Sequence, residues 1–259
     1  MRSIYLIGIS LALWAISGCD QTSMMNKMTP PEDEALAKNY INFLRGNKFE
    51  LIEKDFDPSL KGPNIRETLV SMAALMPAQQ PISVKVVGAQ VSNLSMNGKN
   101  SSNTNITFEY QFPGKWLLVN VATQKKDGGF SIVGFRVTPI TDSLENLNRF
   151  TLTGKSPLHY AVLMLAILFP LFILCVLVLC IRTKMEKRKW LWIIFIVLGV
   201  GQFAVNWTTG QWNLNLLHLQ LLGAGAFSPL YGAWIVSVSL PLGAIVFLFR
   251  RKKLTEAHG

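Results

Sequence analysis

The sequence predicts an α+β domain, about three helices followed by a four-stranded antiparallel sheet, and after it an all-α membrane domain of three transmembrane helices. Three observations predict this. Within residues 32–140 the apolar spacing changes from helical to alternating near Ile82, which separates a helical stretch from a β stretch. Residues 160–181 carry no charge, a run long enough at about 1.5 Å per residue to cross a hydrocarbon core of about 30 Å. Two basic clusters, Arg182, Lys184, Lys187, Arg188 and Lys189 and then residues 250–253, stand at the ends of apolar runs, where orientation-setting charges belong.

The chain opens with Arg2, an apolar stretch over 4–16 and small residues before Cys19, which is the grammar of a secretory signal. As a helix, residues 3–18 reach only about 24 Å, too short to span comfortably. The segment Ile16-Ser17-Gly18-Cys19 resembles the lipobox of bacterial lipoproteins: a branched apolar residue, a small residue, Gly or Ala, then Cys. The resemblance implies cleavage after residue 18 and a diacylglyceryl thioether on Cys19, with acyl chains as the first expected partner. Each buried methylene contributes about 0.8 kcal/mol, so two or three chains hold a protein firmly. Asp20 resembles the inner-membrane retention signal of enteric bacteria. Residues 1–18 are then a signal peptide and 19–31 a lipidated tether.

Thr29-Pro30-Pro31-Glu32 has the form of a capping box with proline at the first helical position. Leu36, Tyr40, Phe43 and Leu44 share one stripe of the helix that follows, and Gly46 stops it. Residues 49–56 predict a second helix, ended at Asp57-Pro58, and 66–76 a third, closed by Pro77. Val84 and Val86 begin a strand. Residues 92–105, rich in Asn, Ser and Gly, read as a surface loop. Residues 106–112 alternate cleanly, Pro113-Gly114 turns the chain, 116–123 returns, and Asp127-Gly128 signals a hairpin into 130–137.

The helical opening over 39–56, the long first strand and the ending over 116–137 resemble the cystatin-like cone fold of the nuclear-transport-factor-two superfamily, over roughly 32–140. The resemblance implies a concavity between helices and curved sheet that takes a ligand or a partner. Glu109, Tyr110 and Trp116 are the candidate pocket residues, with core packing as the competing role of the aromatics. Enzymatic members place an acid/base set in the cone. Here no His precedes His159 and Glu109 has no evident companion, so no catalytic, metal or cofactor residue is expected.

Residues 141–159 read as a linker to a membrane domain over 160–253, with spans at about 160–181, 190–206 and 230–249 and a tail over 254–259. Pro170 is expected to kink the first span. The positive-inside rule puts the loop 182–189 and the C-terminus in the cytoplasm and residues 19–159 outside, in agreement with a lipidated Cys19. The loop 207–229 is too apolar for free solution, and its two alternating runs, joined out of phase at Leu216 and Leu217, fit neither period. It is expected as an interfacial helix or re-entrant turn. His218 and His159 are expected to hydrogen-bond at the interface.

A formal charge of +10 invites a nucleic-acid reading, but residues 20–159 hold fifteen Lys or Arg against thirteen Asp or Glu, so no basic face is expected there. Beyond Cys19 the cysteines are Cys175 and Cys180, both in an apolar run, which excludes a disulfide framework or zinc site in the exported domain. Glu50, Glu53, Asp55 and Asp57 read as a solvated face rather than a calcium loop. No GxSxG or phosphate-cradling glycine loop is present. The expectation is an inner-membrane lipoprotein whose extracytoplasmic domain binds a partner protein or small ligand as an accessory or scaffold subunit. The alternatives are an envelope hydrolase or transferase using the cone, and a component of a membrane transport complex.

Overall fold

Residues 21–96, 99–126, 129–183 and 189–256 are described by the computed structural model, and the chain divides into two units between Leu144 and Glu145. The signal segment, Cys19 and most of the first basic cluster lie outside the described residues.

The expected tether is partly helical. Helix α1, Gln21–Met28, buries Met25 and packs against the first strand. The Thr29 hydroxyl donates to the Met25 carbonyl at 2.9 Å. It therefore closes α1, and the capping box does not form: Pro30 is the N-cap of α2, Pro31–Arg45, without a side-chain cap. Proline at the first helical position fits because that N–H has no helical partner. Helices α3, Phe49–Asp55, and α4, Ile65–Leu75, follow, separated by a 3-10 turn at Pro58–Leu60. The Asp57 carboxylate accepts the Ser59 N–H at 2.9 Å to start that turn.

Strands β1, Ser83–Met96, β2, Lys99–Phe112, β3, Lys115–Lys126, and β4, Gly129–Ile140, form a sheet of order β1-β2-β3-β4 with every neighbour antiparallel. Ile106, Phe108 and Tyr110 pair with Val121, Val119 and Leu117, and this face is buried with Ile41, Leu44, Ile52 and Leu69 from the helices. Gly114 turns the chain between β2 and β3 with a φ of 71°. The expected polar loop over 92–105 is instead two paired arms, Ser92 opposite Asn103 and Leu94 opposite Ser101. Asn, Ser and Thr side chains signal exposure there, not the backbone state, because a ladder outside the core needs no apolar face.

A buried carboxylate ties this unit together. Asp33 on α2 accepts the Thr104 hydroxyl at 2.8 Å and the Lys125 ammonium at 2.7 Å, joining α2 to β2 and β3. Asp33→Ala is expected to cost about 2–3 kcal/mol, since it strands a buried hydroxyl and removes a charge-assisted bond. Chemical unfolding of the full chain, followed by hydrogen exchange of the β2 and β3 amides, measures it. An unchanged midpoint would mean that the bridge is absent in solution.

The second unit overturns the expected all-α domain of three spans. After a single turn α5, Leu144–Leu147, helix α6, Pro157–Arg182, is the one described helix long and apolar enough to cross a membrane. The expected second span is a nine-residue helix α7, Lys189–Val197, that runs directly into strand β5, Leu198–Asn206. The expected third span is strand β8, Ile235–Leu240, followed by α8, Leu242–Glu256. The apolar loop holds β6, Trp212–Leu221, and β7, Ala224–Phe227, in place of an interfacial helix. The four strands form an antiparallel sheet of order β6-β5-β8-β7.

Local chemistry explains the change. Gly201 takes a φ of 72°, which a right-handed helix does not contain. In β8 the sequence Val236-Ser237-Val238-Ser239 alternates at period two, and Pro241 separates strand from helix. The out-of-phase junction at Leu216 and Leu217 is a bulge: Asn215 pairs with Gln202 and Leu219 with Val200, so three residues of β6 stand opposite Gly201 alone. Leu222 and Gly223, both at positive φ (57° and 68°), turn β6 back into β7.

Helix α6 covers about 39 Å and packs in two halves. Val162, Leu163, Ala166 and Phe169 lie on the sheet face formed by Val205, Val236 and Val238, with Trp207. Ile173, Val176 and Cys180 lie against Ile196 of α7 and Ala244 and Phe247 of α8. Gly243 lets α8 approach the Phe195 carbonyl of α7 directly. Lys189 donates to the Ile181 carbonyl at 2.7 Å, and Trp192 packs on Phe247, so Arg182, Lys189, Arg250 and Arg251 gather at one end of the helix cluster.

Candidate functional site

In the second unit, strand pairing sorts the side chains by polarity. Val238 and Leu240 share one face of β8; Phe203 and Val200 pair with them, and Leu214 and Leu219 of β6 pair with those two. Without the bulge, a five-residue separation would place Leu214 and Leu219 on opposite faces. The bulge thus brings Leu214 and Leu219 to the same sheet face as Phe203 and Val238. The other face receives Gln202, Ala204 and Asn206 from β5, Asn213, Asn215 and Gln220 from β6, and Ser237 and Ser239 from β8.

That polar face lines a hollow of about 810 Å³, with Gln202, Asn206, Asn213, Asn215, Gln220 and Ser237 among its walls and Phe227 and Ile235 on one side. Gln220 straps the sheet: its Nε2 donates to the Ser237 hydroxyl at 2.9 Å, and its Oε1 accepts the Ser239 hydroxyl at 2.7 Å. The strap crosses at Gly199, where a Cβ would come within 2.7 Å of the Ser239 Cβ. Asn206 Oδ1 accepts the Thr208 and Thr209 N–H groups, each at 3.0 Å, and shapes the rim. The side-chain amides of Gln202, Asn213 and Asn215 make no hydrogen bond among the described residues and face the hollow.

Among the described residues no ionisable side chain lines this hollow. Its amides and hydroxyls offer hydrogen bonds of both senses. Such a surface suits a neutral ligand rich in donors and acceptors.

Other hollows are present among the described residues. One of about 560 Å³ in the first unit is lined by Thr68 and Met72 of α4 with Thr107, Asn120 and Arg136 of the sheet. Another, about 500 Å³ and apolar, lies beside α6 at Leu163, Ala166 and Pro170, facing Ala226 and Trp234.

The three candidate pocket residues read from the sequence do not converge. Glu109 and Tyr110 are neighbours in β2 and point to opposite faces. Glu109 is buried and its Oε2 accepts the Leu144 N–H at 2.6 Å, fastening the chain after β4. Trp116 pairs with Gln111 at the start of β3, and none of the three lines a described hollow. Tyr110 is a core residue stacked on Phe112. Burial pushes its phenol up to about 12, against a smaller opposing pull from Arg45. A phenol that holds its proton better when folded contributes stability in full below about pH 10, and loses it as pH rises through about 12. Tyr110→Phe is therefore expected to make the alkaline fall in stability shallower, as read from urea midpoints at pH 8 and pH 11. Some fall remains, because burial and the Asp55 carboxylate also raise Tyr40.

Glu50 and Glu53 pair with Arg66, Asp55 accepts the Tyr40 hydroxyl, and no group of potential metal ligands occurs among the described residues. His159 is buried at the start of α6: its Nδ1 is 2.8 Å from the Ser156 hydroxyl and its ring stands edge-on to Trp207. The amides of the hollow were missed by sequence reasoning, although Asn213, Asn215 and Gln220 recur in an otherwise apolar run. Comparison with known protein families, curated proteins and solved structures finds no match for this chain.

Proposed function

We propose that the chain is a membrane-anchored binding subunit of the cell envelope, lipidated at Cys19, with α6 crossing the bilayer, and acting as an accessory or scaffold protein. Residues 19–159 and the open end of the amide-lined hollow face outward, and Arg182, Lys189 and the C-terminal arginines face the cytoplasm. The gathering of these cations at one end of the helix cluster carries the reading, since they come from three separate segments. Aromatic residues support it at both levels: Trp190 and Trp192 near the basic end, and Phe150, Trp207 and Trp234 packed together on the sheet that covers the first half of α6. Binding is assigned to the hollow because its free amides suit a neutral, hydrogen-bonding ligand or partner segment.

Purification of the full chain from its own membrane tests this. The expected result is a first residue Cys19 carrying diacylglycerol by mass spectrometry, and a co-purifying molecule or protein whose retention falls at least tenfold in Asn213→Ala/Asn215→Ala. An unmodified start at Met1 would refute the anchor. Equal retention by wild type and the double variant would refute the hollow as the binding site.

A further inference from the structure

The sheet of the second unit carries its polarity inside out for a soluble domain. On β6, Leu216, Leu217, Leu219 and Leu221 are exposed, Leu217 at 97 %, and lie outside the hollow, whereas Asn213, Asn215 and Gln220 line it, with Trp212 and Leu214 at its wall. A soluble sheet buries its leucines and wets its amides. The reverse order, apolar outside and polar inside, is that of strands in lipid.

The depth of these strands follows from their contacts with α6. At one end of β6, Gly210 lies against the His159 ring; at the other, Gly223 lies against Ile173 and Phe169. From residue 159 to 173, α6 advances about 21 Å, some two thirds of a hydrocarbon core of about 30 Å. The apolar run of α6 begins at Tyr160, so β6 runs alongside it from its outer end to beyond its middle. No Asp, Glu, Lys or Arg occurs from Trp190 to Phe249. The exposed side of α6 is apolar over the same levels, at Met164, Ile167, Leu168 and Leu171.

We propose that β6 is immersed in the outer leaflet, its leucine row against lipid acyl chains, so that the amide-lined hollow is a polar chamber sunk into the membrane and open to the outer aqueous side. This rests on α6 crossing the bilayer. The unpaired backbone of a sheet edge is costly in hydrocarbon. The turn at the deep end is itself bonded, the Leu222 N–H donating to the Val197 carbonyl and the Ser239 N–H to the Gly223 carbonyl, each at 2.8 Å, so the outer edge of β6 is where that cost falls.

The test places one environment-sensitive probe per molecule on the full chain in phosphatidylcholine/phosphatidylglycerol vesicles, with Cys19, Cys175 and Cys180 replaced by serine. Probe sites are Leu217→Cys, Leu219→Cys, Asn215→Cys and, as the α6 reference, Leu171→Cys. The expected result is quenching of the 217 and 219 probes by acyl-chain nitroxide lipid to at least half the extent seen at 171, with no quenching by aqueous iodide, and iodide quenching at 215. Lipid quenching at 171 together with iodide quenching at both 217 and 219 would overturn the immersion of β6 and leave the span intact. Iodide quenching at 171 would overturn the span and this proposal with it. Leu217 makes almost no contact within the chain, so its substitution leaves folding unchanged, and Leu219 gives an independent reading.

Discussion

Gly243→Ala is expected to lower the stability of the second unit by about 3 kcal/mol or more. A Cβ at this position would fall on the Phe195 carbonyl of α7, which is backbone and has no rotamer through which to yield. Overpacking typically costs about 1–3 kcal/mol where side chains can shift, and a backbone obstacle lies at or above the upper end. The sign is informative, because glycine to alanine in an unobstructed helix stabilises by up to about 1 kcal/mol. Small residues serve close helix approach in this way in membranes. The loss would spread to Ala244, Phe247, Ile196 and Trp192, which share the same packed cluster. Unfolding of the full chain in mixed micelles with rising SDS, read by tryptophan fluorescence, measures the effect. A raised midpoint would mean that α7 and α8 are not in contact at Gly243.

Trp207→Ala is expected to cost about 3–5 kcal/mol, the range for a buried aromatic cut to alanine. Trp207 is almost wholly buried beside the N-terminal half of α6, stacks on Phe150 at 4.6 Å, and meets His159 edge-on at 5.2 Å. Its indole N–H donates to the Thr151 carbonyl at 2.7 Å, its backbone N–H donates to the Trp234 carbonyl at 2.7 Å, and its own carbonyl accepts Lys155 Nζ at 2.7 Å. Trp207→Phe separates the contributions. It keeps most of the ring and loses the bond to Thr151, so a smaller loss of about 1–2 kcal/mol is expected. Equal losses in both variants, measured by the same titration, would assign the whole effect to the hydrogen bond and none to packing.

The parts of the chain legible in the sequence are those where one period stands alone. Residues 106–112 alternate without interruption because one face packs on helices and the other does not, and the run 160–181 is apolar all round because α6 is covered on several sides by different things. Legibility ends where two physical causes give one composition. An uncharged apolar run from Trp190 to Asn206 suits a membrane helix and equally a helix that becomes a strand; only Gly199 and Gly201 mark the change. The phase break at Leu216 and Leu217 belongs to neither period because a bulge adds residues to one strand, and its partner, Gly201, lies well back along the chain. At the candidate pocket the reason is simpler. Glu109 and Tyr110 are adjacent in a clean alternation, which already places them on opposite faces. Residues that line the hollow come from four strands, and their convergence depends on pairing that no local window contains.

The junctions of the second unit also have a mechanical meaning. Helix α7 becomes β5 with no residue between them, and on the return path Pro241 alone separates β8 from α8. Proline holds its own φ nearly fixed, so that single spacer adds little slack. With both strands rooted in helices in this way, the basic end and the amide chamber behave as the two arms of one lever. A tilt of α7 against α8 would reach β5 and β8, the adjoining staves of the chamber wall, with Gly201 as the one point at positive φ on the way.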